Sequence, residues 1–370
     1  FIDEQHVKLV NMYDSSGGFG AFAMRGAGEA LEERGYSYDL TNDDGAALVP
    51  WLLSLVGGWR TDVAFINTRG NTDFFVTTRG RGTMLDVPIL NTPTAVHFVH
   101  SWSFRFPSSG ATIGGRWLDA GAYAYVGSVH EPYLSAFVPP EEVVNRMVSS
   151  TPFLVAARHY GGGMGARPWR VATYGDPLMT CVPPQQSERE RVELDRRWSE
   201  GDVHLRAETA DLLRTWAEDR SKRDVLAKAM GNLVLLGEDE HVVKLFRAAA
   251  SSADARGVDA GVARAALGAL FRRGDRDGFM TAWKSSGLTD DRSRTMLWHM
   301  MGPNLGPGLD EEAVIQLQAS LREPRVDIDL ERLRPALERV IGSEAVSAMI
   351  GRLLQETRNN RTRRELEKLR

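Results

Sequence analysis

Cysteine is almost missing from this chain of 370 residues: Cys181 stands alone. An intramolecular disulfide is excluded, and a zinc site built on several thiolates has nothing to draw on. Long apolar runs are missing too. The most apolar stretch, residues 49–56, is eight residues long, far short of the ~20 needed to cross a bilayer as a helix. There is no excess of positive charge. The formal net charge is −4, and residues 1–184, with 17 acidic and 13 basic side chains, account for all of it. Nucleic acid binding, which leans on a basic face, is not expected. No His-Glu-x-x-His occurs, so the commonest helical zinc motif is absent. The chain begins at Phe1 and not at methionine, which implies processing or trimming and leaves the compartment unread.

What is present is ordinary globular composition, 42% hydrophobic and 25% charged, as in a soluble protein, and a length that fits two domains. Up to residue 184 the pattern alternates. Residues 6–13 form an apolar, β-branched run closed by Asp14-Ser15-Ser16-Gly17-Gly18. Residues 21–34 then take helical spacing, with Gly35 just past the end, where a capping glycine belongs. Strands are predicted at 36–40, 62–67, 94–100, 122–126 and 168–173, and a helix at 45–56. Residues 69–82, with Gly70, Gly80 and Gly82, read as a loop. Strands alternating with helices predict a mostly parallel sheet covered on both faces. In such sheets ligands gather at the carboxyl ends of the strands, which points to the segments 14–20, 67–73, 100–105 and 127–133.

These segments carry a family resemblance. Thr68-Arg69-Gly70-Asn71 follows one strand, His100-Ser101-Trp102-Ser103 follows the next, and a Gly-Ala-x-Ala-x-x-Gly strand ends at Gly127. Tyr174-Gly175-Asp176-Pro177-Leu178 closes the run. In this order the segments resemble the caspase–gingipain clan of cysteine peptidases over residues 7–178. The resemblance implies a caspase-like three-layer sandwich. It also implies that Arg69 stands at the place of the catalytic histidine and that the His100–Ser103 segment lacks the catalytic thiol. A cysteine–histidine dyad works because an imidazole takes the thiol proton near neutral pH. A guanidinium stays protonated and cannot. Arg69 can hold an anion or orient a carbonyl, but it cannot activate a nucleophile.

Other chemistry has candidates here. Ser101 or Ser103 could act as a hydrolytic nucleophile with His100 or His97 as base, although His100-Ser101-Trp102-Ser103-Phe104 is not a Gly-x-Ser-x-Gly elbow. His97 and His100 sit at i and i+3 on a strand and so point to opposite faces, which argues against a shared metal. No metal site is assigned, and no cofactor. His130 and Glu131 follow Gly127 at a carboxyl edge and are candidates for ligand contact, together with Asp14, Gly18, Gly20 and Gly70. Gly18-Phe19-Gly20-Ala21-Phe22-Ala23 fits a dinucleotide fingerprint, with Asp39 about twenty residues on as the ribose acid, and keeps an oxidoreductase reading open. Gly161-Gly162-Gly163-Met164-Gly165 is a flexible loop.

Beyond Pro183-Pro184 the strand signal ends. Helical spacing recurs at 189–198, 207–218, 224–236, 241–250, 262–272, 278–284, 311–321 and 330–341, and a last helix begins near Glu344. Gly201-Asp202, Gly237-Glu238 and Gly274-Asp275 fall 36 and then 37 residues apart, a spacing similar to tetratricopeptide-type helix pairs. The division expected is an α/β domain over 1–184 and an all-α helical-repeat domain over 185–370. The expected role is a non-catalytic caspase-like domain joined to a module that binds protein partners.

Overall fold

The structure, a computed structural model, describes residues 6–13, 17–159, 170–181, 204–251, 258–305 and 309–370. Asp14, the glycine loop at 161–165, the helix expected at 189–198 and the Gly201-Asp202 pair lie outside the described residues. The chain divides into two compact units, Phe1–Val192 and Glu193–Arg370.

The first unit is built on a six-stranded sheet. Its strands are β1 (His6–Asn11), β2 (Ser37–Thr41), β3 (Val63–Asn67), β7 (Thr94–Val99), β8 (Ala122–Ser128) and β9 (Val171–Tyr174), in the order β2-β1-β3-β7-β8-β9. The first five are mutually parallel and β9 is antiparallel to β8. Every residue of β3 and of β7 is buried, as expected for central strands covered on both sides.

One face carries Val7, Leu9, Phe65, Val99 and Val126. These pack on α1 (Arg25–Glu32), α4 (Pro140–Met147) and α5 (Phe153–Ala156). The other face is aromatic and meets α2 (Leu48–Ser54) and α3 (Ile113–Ala120). There Phe98 lies 6.2 Å from Trp117, Trp59 lies 5.8 Å from Trp117, and Trp51 lies 5.1 Å from Trp59. The sheet is a middle layer between two helical layers, an α/β fold. The chain steps from β1 out to β2 and then back across β1 to β3. The crevice where this reversal falls, between the carboxyl ends of β1 and β3, is the place such a sheet offers to a ligand.

The loop expected over residues 69–82 is instead part of a second, three-stranded antiparallel sheet that ends at Thr83. Its strands are β4 (Arg69–Asn71), β5 (Phe74–Val76) and β6 (Arg81–Thr83). Three-residue strands are too short for their alternation to register in the sequence. The helix expected at 45–56 is a 3-10 turn, Asp43–Ala46, followed by α2.

In the second unit the described residues form consecutive helices: α6 (Leu205–Glu218), α7 (Arg223–Leu235), α8 (Asp239–Ser251), α9 (Ala260–Arg272), α10 (Arg276–Ser286), α11 (Asp291–Met301), α12 (Glu311–Gln318), α13 (Val326–Ile341), α14 (Ser343–Glu356) and α15 (Asn360–Leu369). α9 packs on α7, α8 and α10, and α13 on α12, α14 and α15. Two of the turns marked in the sequence are built alike. Gly237 and Gly274 take left-handed φ of +76° and +64°. Gly237 N–H donates to Val234 O and Glu238 N–H to Leu233 O, while Gly274 N–H donates to Phe271 O and Asp275 N–H to Leu270 O. Both are Schellman caps, which satisfy the last carbonyls of a helix while turning the chain. Buried ion pairs stand at the entry to α13: Arg322 bonds Asp329 at 2.6 Å and Arg325 bonds Asp327 at 2.7 Å. No helix among the described residues is long and apolar enough to cross a membrane.

Candidate functional site

Parallel register brings the sequence candidates to one edge. Asn67 on β3 is paired with Val99 on β7, so the residues just beyond each strand, Thr68-Arg69-Gly70 and His100-Ser101-Trp102, leave the sheet side by side. Thr68 N–H donates to Val99 O at 3.1 Å. β8 ends at the same edge, and β9, running the other way, begins there. The Ser128 hydroxyl donates to His100 O at 2.5 Å, and Val129 N–H donates to Arg170 O at 2.9 Å. Arg69, Gly70, His100, Ser101, His130 and Glu131 thus share the carboxyl edge, as the spacing of the strands predicted.

Among them, His100 and Ser101 are not bonded to each other. His100 is buried, and its Nε2 lies 3.0 Å from Phe74 O at the start of β5. A carbonyl can only accept, so Nε2 carries the proton and the lone pair is on Nδ1, which is itself buried. Burial lowers the pKa of His100 to about 4, against weaker upward pulls from backbone hydrogen bonds at Phe74 and Ser101. Gly70 makes the contact with Phe74 O feasible. A Cβ there would lie 2.2 Å from Phe74 O and 2.6 Å from His100 Nε2.

The chain turns sharply after His100, and Trp102 takes φ +62°. Yet the Ser101 hydroxyl donates to Glu131 Oε1 at 3.0 Å and not to a histidine. Glu131 is in turn fixed by Arg170, whose guanidinium donates to its carbonyl. Sequence reading had placed Glu131 here only as a ligand contact. Thirty residues separate it from Ser101, and no local spacing announces the pair.

Ser103 is a correction. It is fully buried, with its Oγ packed over Gly127, where an added Cβ would lie 2.6 Å from it and 2.5 Å from the Tyr125 ring. A hydroxyl sealed in this way cannot meet a substrate. His97 is corrected likewise as a base. It points into the helical face between Phe65 and Phe137, at 5.4 and 6.0 Å between ring centres, and burial alone lowers its pKa to about 3.

The dinucleotide reading of Gly18 and Gly20 meets a geometric obstacle. Gly17–Phe22 is a 3-10 turn, and α1 begins only at Arg25. The glycines therefore do not open a helix whose N-terminus could hold a pyrophosphate. Asp39 lies inside β2 and is tied to His6 at 3.0 Å and Lys8 at 3.6 Å. It pairs in register with Lys8, three residues back from the carboxyl end of β1 at Asn11.

What remains open at the edge is aromatic and cationic. The Arg69 guanidinium lies 5.0 Å over the Tyr13 ring and donates to its hydroxyl at 3.2 Å. Arg105 lies 4.7 Å over Trp102, whose other neighbour is the His130 ring at 4.4 Å. Arg170 lies 5.5 Å over Tyr133. Trp102 and Tyr133, with φ +62° and +49°, hold a left-handed conformation costly for bulky side chains. Such strain gathers where a site is being shaped. Cys181 is buried, and its thiol pKa is pushed up to about 12, by burial first and then by the charge of Asp62. It stays protonated and is not a nucleophile near neutrality. Among the described residues no three His, Cys, Asp or Glu side chains gather as metal ligands would.

No protein-family model, curated protein or solved structure matches the chain significantly.

Proposed function

We propose that the α/β unit is a caspase-like domain without peptidase activity, whose carboxyl edge binds a ligand through Arg69 and its aromatic neighbours. On this reading the helical unit is a repeat module that binds a protein partner. One observation carries the reading. The three groups a hydrolase would combine are each engaged elsewhere: His100 with Phe74 O, the Ser101 hydroxyl with Glu131, and Arg69 with Tyr13. General-base help is typically worth about 10²–10⁴-fold, and the neighbouring imidazole of His100 is turned to Phe74 O instead. Guanidinium groups resting on rings are suited to receiving carboxylates and carbonyls in a fixed orientation.

Incubating the purified chain with a degenerate peptide library and reading products by mass spectrometry tests this. No cleavage above the buffer control is expected. Cleavage that disappears in Ser101→Ala would favour the hydrolase reading, in which Glu131 would stand where a base is needed.

A further inference from the structure

A cleft of about 440 Å³ opens over β1 and β2, on the face of the sheet that α2 partly covers. It exists because α2 is only seven residues long and leaves the outer pair of strands incompletely roofed. Its walls include Leu40, Thr41, Asn42, Trp51, Trp59 and Lys8, and none of these belongs to the carboxyl-edge cluster. We propose that this cleft binds a small amphipathic organic anion, with an apolar body along Trp51 and Trp59 and an acidic group at Lys8.

The walls are fixed before any ligand arrives. Trp51 Nε1 donates to Asp86 O at 2.9 Å and Trp59 Nε1 donates to Ser54 O at 3.0 Å. The Trp59 backbone is held on both sides, its N–H on Ile89 O and its carbonyl by Asn91 N–H, each at 2.8 Å. Rings held this way lose little freedom on binding.

Charge selects the class of ligand. The Lys8 ammonium lies 5.1 Å over the Trp59 ring, and its carboxylate partner, Asp39, is 3.6 Å away and shared with His6. An ammonium has three donors, so capacity remains for a second acid. A cationic ligand would find the Trp59 face already occupied by like charge. The Thr41 hydroxyl and the Asn42 amide also line the cleft and supply further polar contacts. The volume falls in the lower part of the ~300–1,000 Å³ range of small-molecule sites, which suits a molecule and not a folded partner.

The test is a titration of the full chain with 8-anilinonaphthalene-1-sulfonate, read by its fluorescence under tryptophan excitation. N-phenyl-1-naphthylamine, which lacks the sulfonate, serves as the neutral control. One saturable site is expected, weakened tenfold or more in Lys8→Met and in Thr41→Trp. The neutral probe should bind more weakly and should not respond to Lys8→Met. Should either variant fail to fold by circular dichroism, the other decides. Absence of saturable binding, or undiminished binding in a folded variant, overturns the proposal.

Discussion

The two buried histidines of the α/β unit, His97 and His100, tie the stability of the fold to pH. In the unfolded chain each takes up a proton as pH falls through about 6.5. In the folded chain burial delays this to about 3 for His97 and about 4 for His100. Between those values the unfolded state binds more protons, so stability is lost as pH falls from about 6.5 toward 4. The loss is at most ~1.4 kcal/mol per pH unit for each histidine. His97→Leu should remove its share. Urea midpoints at pH 7.5 and 5.0 should drop clearly in the native protein and much less in the variant. An equal drop in both would show that His97 is not desolvated as placed. The sequence disclosed part of this: i and i+3 on a strand face opposite ways, and His97 and His100 do end in different surroundings. What it hid were the partners of His100 and Ser101, because Phe74 and Glu131 reach these contacts through the tertiary fold.

At the scale of elements, the central strands and the repeat turns were legible, and the small sheet was not. β3 and β7 announce themselves as unbroken apolar runs, since both faces are covered. β4, β5 and β6 read as Arg-Gly-Asn, Phe-Phe-Val and Arg-Gly-Thr; their glycines look like loop residues but serve close approach. Gly70 is the decisive one. Gly70→Ala should cost about 2–4 kcal/mol in denaturant unfolding, because its methyl would enter the space between Phe74 O and His100 Nε2. A stability equal to the native protein would mean that this approach does not hold His100. The turn glycines of the helical unit act differently. Nothing lies within 4 Å of a Cβ built on Gly237, so Gly237→Ala should cost only the left-handed strain, about 1 kcal/mol, and Gly237→Asn less. Thermal melts of the two variants rank these effects, and an alanine variant as stable as the asparagine one would contradict the capping role.

At the scale of the whole molecule, an α/β unit and a helical unit follow one another, each with its own core. The change of hydrophobic period near Pro184 made this succession readable from the sequence. The α/β unit supplies the charge imbalance and the strained aromatic edge. The helical unit supplies a run of consecutive helices. The central claim, that the α/β unit has a peptidase-like edge without a working nucleophile, is tested most directly by covalent capture. The intact mass of the full chain would be measured after incubation with a fluorophosphonate and, separately, with a thiol-directed electrophile. An unchanged mass is expected with both, since the Ser101 hydroxyl is bonded to the Glu131 carboxylate and Cys181 is buried and protonated. Stoichiometric modification at Ser101, abolished by Glu131→Gln or His100→Ala, would contradict the account.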